Sequence, residues 1–157
     1  MAFFDFDTWM RLGLALAVGG LIGLNRNVHG KSAGLRTNAL VAMGSAFAVL
    51  TSRQLATDPA HVADALSRVI QGLLTGTGFI GAGLILHSEN GKKVHGLTTA
   101  AAVWVSAILG AGCGAGLYST VLIAVLLVVV LLIVGGPLER WLHRLLRHDG
   151  SLPPSID

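Results

Sequence analysis

Charge is what this sequence has least of. Lys, Arg, Asp and Glu together make up 12% of its 157 residues, where a soluble domain carries roughly 25%. So few charges cannot cover a globular surface, which points to a bilayer as the solvent. Cysteine is scarcer still. Cys113 stands alone, which excludes an intramolecular disulfide and a cysteine zinc site, and it reads as a small packing residue near a helix end. A basic leader region is also missing, because the chain opens on Asp5 and Asp7, unlike a cleavable signal peptide. The formal net charge of +3 gives no ground for a nucleic-acid partner.

Acids are the next scarcity. Asp5, Asp7, Asp58, Asp64, Glu89, Glu139, Asp149 and Asp157 are all of them, and every one is expected in a loop or tail. A hard divalent cation seeks carboxylate or carbonyl oxygen, and intramembrane carboxylates mark ion pathways. Their absence from the spans disfavours a dedicated divalent-cation transporter and leaves backbone carbonyls as the remaining lining. The six histidines are scattered. His29, His87 and His95 share one expected side without helical ligand spacing, so no metal site and no cofactor is expected. No nucleophile has a paired base, so no enzyme is expected either.

What is abundant is apolar. Hydrophobic residues reach 53% and the mean hydropathy is +0.71. A spanning helix needs roughly 20 apolar residues, and residues 9–24, 35–51, 69–86, 97–115 and 117–134 qualify. The expected fold is therefore all-α, a polytopic membrane protein with about five transmembrane helices in residues 1–136. A basic amphipathic tail follows at 137–157. Five spans with the amino terminus outside place Arg26, Lys31, Arg36, Lys92, Lys93, Arg140, Arg144 and Arg147 on the cytoplasmic side. Arg11, Arg53 and Arg68 remain outside, the bias that the positive-inside rule asks for. Arg11 is expected to snorkel to the outer interface. In the tail, Leu138, Trp141, Leu142, Leu145 and Leu146 recur at helical spacing. Two readings stay open: a helix on the inner leaflet anchored by Trp141, or an extension of the fifth span.

The chain also repeats itself. KSAGLRTNALV at 31–41 and KVHGLTTAAAV at 93–103 share six of 11 positions. Upstream, Gly20-Leu-Ile-Gly23 resembles Gly78-Phe-Ile-Gly81. Helix pair 1–2 thus resembles pair 3–4 as a parallel repeat. In each copy a basic loop leads through Gly-Leu-x-Thr into a helix, so Thr37 and Thr99 (or Thr98) are expected to cap it. Two helix starts beside Lys31, Arg36, Lys92 and Lys93 suggest an electropositive site for anionic lipid, phosphate or an acidic partner segment; alternatively they are caps plus topology-setting charges.

Gly76-Thr-Gly78-Phe-Ile-Gly81 matches a dinucleotide fingerprint but follows no strand and has no acid about 20 positions on. Its glycines, with Gly83 and the pairs Gly19/Gly23 and Gly72/Gly76, are expected in close helix contacts. Asn25, Asn38, Gln71, Thr75, Thr77 and Ser106 are the polar residues that can face the bundle interior, as hydrogen-bonding glue or as a site. The run Ile123 to Val134 lacks a polar face and is expected at the lipid-facing periphery.

Three stretches, Gly20 to Ala46, Ser67 to Leu86 and Val94 to Tyr118, resemble in order the three signatures of the MgtC/SapB family of bacterial inner-membrane proteins. The resemblance covers nearly the whole chain and implies five helices with the amino terminus outside. It also implies a link to growth at low magnesium and to survival inside macrophages. Better-studied members look like regulators of membrane energetics that act on the ATP synthase. Motif positions carried over are Arg26, Gly34, Leu35, Arg36, Thr37, Gly78, Gly81, Gly83, Gly96, Leu97, Thr98 and Thr99. Asn25 and Asn27 stand where the pattern has acids, and Asn38 where it often has His. The chain reads as a short form without the soluble carboxy-terminal domain of several members.

The leading expectation is a non-enzymatic inner-membrane protein with the lipid bilayer, another membrane protein or anionic lipid as partners. Arg26, Gly34, Arg36, Thr37, Asn38, Thr98 and Thr99 are the candidate binding residues. The runner-up is a small oligomeric channel or transporter.

Overall fold

Five long helices form where the apolar runs lie. In the computed structural model, which describes residues 5–56, 58–85 and 95–146, α1 spans Phe6–Val28, α2 Leu35–Leu55 and α3 Val62–Ile85. Helix α4 spans Leu97–Ala115 and α5 Tyr118–Leu146, and among the described residues there is no strand. The shortest, α4, has 19 residues, about 28 Å at the usual helical rise and enough to cross a hydrocarbon core. Helices α1, α3, α4 and α5 are also apolar enough to do so. Helix α2 falls short in hydropathy because it carries Arg36, Asn38, Ser45, Ser52 and Arg53. Its position accounts for this: it packs against both α1 and α4, and Asn38 and Ser45 are buried there instead of facing lipid.

The helix ends follow local chemistry. Asp5 caps α1, accepting from the backbone N–H of Asp7 (3.3 Å) and from the Thr8 hydroxyl (2.8 Å). Helices α2 and α4 do not start on threonine caps. Gly34 and Gly96 occupy the N-cap positions and supply no side-chain bond, which moves Thr37 and Thr99 into the first turn. Gly96 has φ +95, and a Cβ there would sit 2.6 Å from the Leu84 carbonyl oxygen, so only glycine fits. At the far end of α4, Gly116 (φ +81) closes the helix as its N–H reaches the Cys113 carbonyl and Leu117 N–H reaches that of Gly112, a Schellman closure.

Two helices run past the apolar segments. Helix α3 begins at Val62, after a 3-10 turn at Pro59–His61 capped by Asp58, so Asp64 and Arg68 belong to its polar first turns. Helix α5 continues through Pro137 to Leu146, and the residues read as an amphipathic tail prolong it up to that point. Asp7, Asp64 and Glu139 consequently lie on helices and not in loops, each towards a helix end. Lys92, Lys93, Glu89, His87, Arg147, His148, Asp149 and Asp157 lie outside the described residues.

Small residues set the packing. Helix α4 touches all four other helices and buries Ala102, Val103, Ser106, Gly110, Cys113 and Gly114. A Cβ on Gly110 would collide with the carbonyl of Ala42, and one on Gly114 would stand 2.5 Å from that of Ala46. On the other side of α2, Gly19 meets the Asn38 carbonyl and Ala42, and Gly23 meets Gly34 and Leu35. Three backbones are thereby drawn into contact, which is how helices associate where lipid offers no hydrophobic drive. Gly81 makes an ordinary contact with Ala100 at 3.4 Å. Gly72, Gly76, Gly78 and Gly83 do not pack against the other described residues: a Cβ at any of them meets nothing of these within 4 Å. The buried side of α3 is formed by Thr77 and Gly81, which turns the other glycines outward. Helix α5 leaves Leu122, Leu126, Leu127, Leu131 and Ile133 exposed and buries only Val121 and Val125, as its apolar run predicts.

The repeat survives in the helix starts. Leu97 follows Leu35 by 62 positions, each preceded by its glycine, and each pair, α1–α2 and α3–α4, packs together. The helix contacts predict a sharp contrast between glycines. Gly110→Val should overpack the α2–α4 contact and cost about 1–3 kcal/mol, seen as a lower midpoint in thermal unfolding of the detergent-solubilised protein. Gly44→Val, at a position with open space around it, should leave the midpoint within about 1 °C.

Candidate functional site

Polar side chains gather at the two ends of the bundle, and the two ends do different things. At the end where α1 starts, Arg11 donates to Asp7 at 2.6 Å and to the Gly114 carbonyl at 2.8 Å. Its guanidinium lies 5.9 Å from the Tyr118 ring centre, and the Tyr118 hydroxyl donates to Asp7 at 3.1 Å. Arg11 thus turns one helical turn back towards the start of α1, where Asp7 is exposed. It ties α1 to the carbonyl end of α4, where a cation also suits the helix dipole. The i, i+4 spacing of Asp7 and Arg11 was the available sequence signal for half of this cluster; the α4 and α5 partners have none.

The other end holds the predicted site residues. Arg26, in the last turn of α1, is only 6% exposed. One of its terminal nitrogens donates to the Thr99 hydroxyl on α4, while its Nε–H has no partner. A turn deeper, Asn38 of α2 is fully buried. Its amide nitrogen donates to the carbonyls of Ala33 (2.5 Å) and Gly34 (3.1 Å), and its oxygen accepts from the Ser106 hydroxyl at 2.9 Å. Asn38 and Ser106 are thus interhelical glue. Thr75 and Thr77 instead bond back to their own helix, and Gln71 bonds Ser67 on that helix.

Of the candidate binding residues, the structure joins Arg26 with Thr99 and places Asn38 with Ser106. Gly34 serves packing: a Cβ there would run into the side chain of Asn27. Arg36 and Thr37 are exposed and enter none of these bonds. Thr98 is exposed too, but it lines a cavity of about 470 Å³ between α1, α4 and α5. Arg26, His29 and Lys31 face that cavity from α1 and the loop after it, and Glu139 and Arg140 from α5. The α5 contribution was not legible in sequence, because nothing local links residues 135–140 to Arg26. Gly135, Gly136 and Pro137 form the adjoining wall. Two residues without bulk and a third without an N–H leave room beside α1, and Pro137 cannot bond the carbonyl of Ile133.

The Asn38–Ser106 bond is testable as a pair. Asn38→Ala and Ser106→Ala should each lower unfolding stability, and the double variant should lose less than their sum. A coupling energy of about 0.5–1.5 kcal/mol from a double-mutant cycle is the expected measurement.

These buried positions fall inside a stretch with known counterparts. The MgtC family pattern matches residues 12–141, which takes in α2 to α4 and most of α1 and α5. Protein SrpB of Synechococcus elongatus is 44% identical over 94% of this chain and 88% of its own length. Protein MgtC of Brucella abortus is 38% identical over 90% of the chain, and "Putative magnesium transporter YhiD" of Escherichia coli K12 is 44% identical over 69%. The chain spans only about half of the latter two, 56% and 51%. No solved structure matches it significantly. With a family match across nearly all described helices and a relative covered almost end to end, this multi-pass membrane protein belongs to the MgtC family.

Proposed function

We propose that the chain is a non-enzymatic regulator of the bacterial inner membrane that acts by binding another membrane protein, with α3 as its docking helix. One observation carries this reading. The small-residue pairs Gly19/Gly23 and Gly110/Gly114 are each filled by α2, whereas Gly72, Gly76 and Gly83 have open space where a Cβ would stand. Spaced by four and seven residues, these three share one face, and that face is turned away from the buried Thr77 and Gly81. Glycine lowers helix propensity, and a glycine face invites the backbone of a further helix. Phe79, 84% exposed, stands beside it. In this reading the basic end, with Arg26, Lys31, Arg36 and Arg140, faces the cytoplasm, and the amino terminus faces outside. The physiological setting would be magnesium limitation or membrane energetics, with the name of YhiD linking a relative to magnesium.

The same name supports a second reading, an oligomeric channel or transporter. Crosslinking in magnesium-starved cells, followed by mass spectrometry, separates the two. Wild type should yield a specific membrane partner, Gly76→Leu should reduce its yield at least tenfold, and Gly44→Leu should retain it. A partner captured equally by Gly76→Leu removes α3 as the docking helix. Self-crosslinks alone, together with ion flux in liposomes, would establish the transporter reading instead.

A further inference from the structure

The cavity between α1, α4 and α5 has no part in docking at α3, and its chemistry is that of an anion receptor. We propose that it binds a phosphate-bearing anion, held by Arg26, Lys31 and Arg140 at the amino-terminal end of α4.

Four observations converge. First, α4 is a helix of 19 residues whose N-cap, Gly96, offers no side-chain acceptor. Its first intrahelical bond is the Ala100 N–H to the Gly96 carbonyl, and among the described residues nothing accepts from the N–H groups of Leu97, Thr98 and Thr99. Free N–H groups and the positive end of the helix dipole favour an anion. Thr98, which carries one of these groups, lines the cavity.

Second, Arg26 is more than nine-tenths buried, lines the same cavity, and has an Nε–H with no acceptor. A buried cation with an idle donor is costly. The Thr99 hydroxyl accepts one guanidinium bond but brings no negative charge. A phosphate oxygen in the cavity would supply the missing charge, in the geometry that guanidinium groups bind well.

Third, charge on the cavity wall is unbalanced. Arg26, Lys31 and Arg140 are set against Glu139 alone. Neither Lys31 nor Arg140 enters an ion pair among the described residues. Fourth, the wall continues into Leu131, Leu132 and Ile133 of α5, an apolar strip that fits acyl chains hanging below a headgroup. The ligand chemistry is the same for an anionic phospholipid and for free phosphate, and only the former uses the strip.

The two sources separate in two measurements on the purified protein. Inorganic phosphate is titrated calorimetrically into delipidated protein in detergent. In parallel, protein reconstituted in bilayers of equal phosphatidylglycerol and phosphatidylcholine is extracted, and the lipids it retains are counted by native mass spectrometry. Because Arg26→Gln also removes the Thr99 bond and can disturb folding, the main variant is Lys31→Gln combined with Arg140→Gln, both at exposed positions. Wild type should retain phosphatidylglycerol over phosphatidylcholine, and the double variant should hold it at least about tenfold less well, since losing even one charge-assisted bond costs about that much. A calorimetric response to inorganic phosphate that the double variant loses would assign the site to the free anion. The proposal is overturned if wild type shows neither response, or if the double variant matches wild type in whichever arm responds.

Discussion

Everything in this bundle depends on how closely α2 can approach α4. In a bilayer, apolar side chains gain little by leaving lipid for protein, so association relies on backbone proximity and on hydrogen bonds between helices. Gly110 and Gly114 remove the side chains that would keep α4 away, and Ala42 and Ala46 do the same on α2. Once the two backbones touch, Ser106 comes within reach of Asn38. The same α2 backbone receives Gly19 and Gly23 of α1 from its other side. A helix too polar to face lipid along its length is thus enclosed by two that are apolar.

That arrangement gives the two arginines of α1 opposite fates. Arg11 is well partnered: it has a carboxylate from its own helix, and a helix-terminal carbonyl and an aromatic face from the closing end of α4 and the start of α5. Arg26 meets the opening end of α4, where donors are in excess and the acceptor is a single hydroxyl. The difference follows from helix polarity. The carbonyl end of α4 satisfies a cation, whereas its N–H end cannot. One end of the bundle is closed by its own groups, and at the other Arg26 has no carboxylate partner among the described residues.

The repeat and its outcome differ in a similar way. Both copies start a helix after glycine at the same offset, yet α2 and α4 share the interior while α3 stays at the edge with α5. Buried Thr99 and exposed Thr37, equivalent in sequence, show how far the copies have diverged in environment.

The sequence by itself determined the solvent, the number of long helices and their approximate positions, because scarcity of charge and runs of about 20 apolar residues are local properties. It also marked Arg26, Asn38 and Thr99 as residues of interest, and identified the small-residue pair Gly19/Gly23. It could not tell which glycines pack inside the chain and which face outward: Gly72 and Gly76 carry the same motif as Gly110 and Gly114, and only the presence of α2 beside the latter separates them. Nor could it join Arg11 to Gly114 or bring Arg140 to the cavity beside Arg26, since those groups lie about 100 residues apart. Tertiary structure decided these points, because a close approach is a property of two helices and no single helix encodes its neighbour.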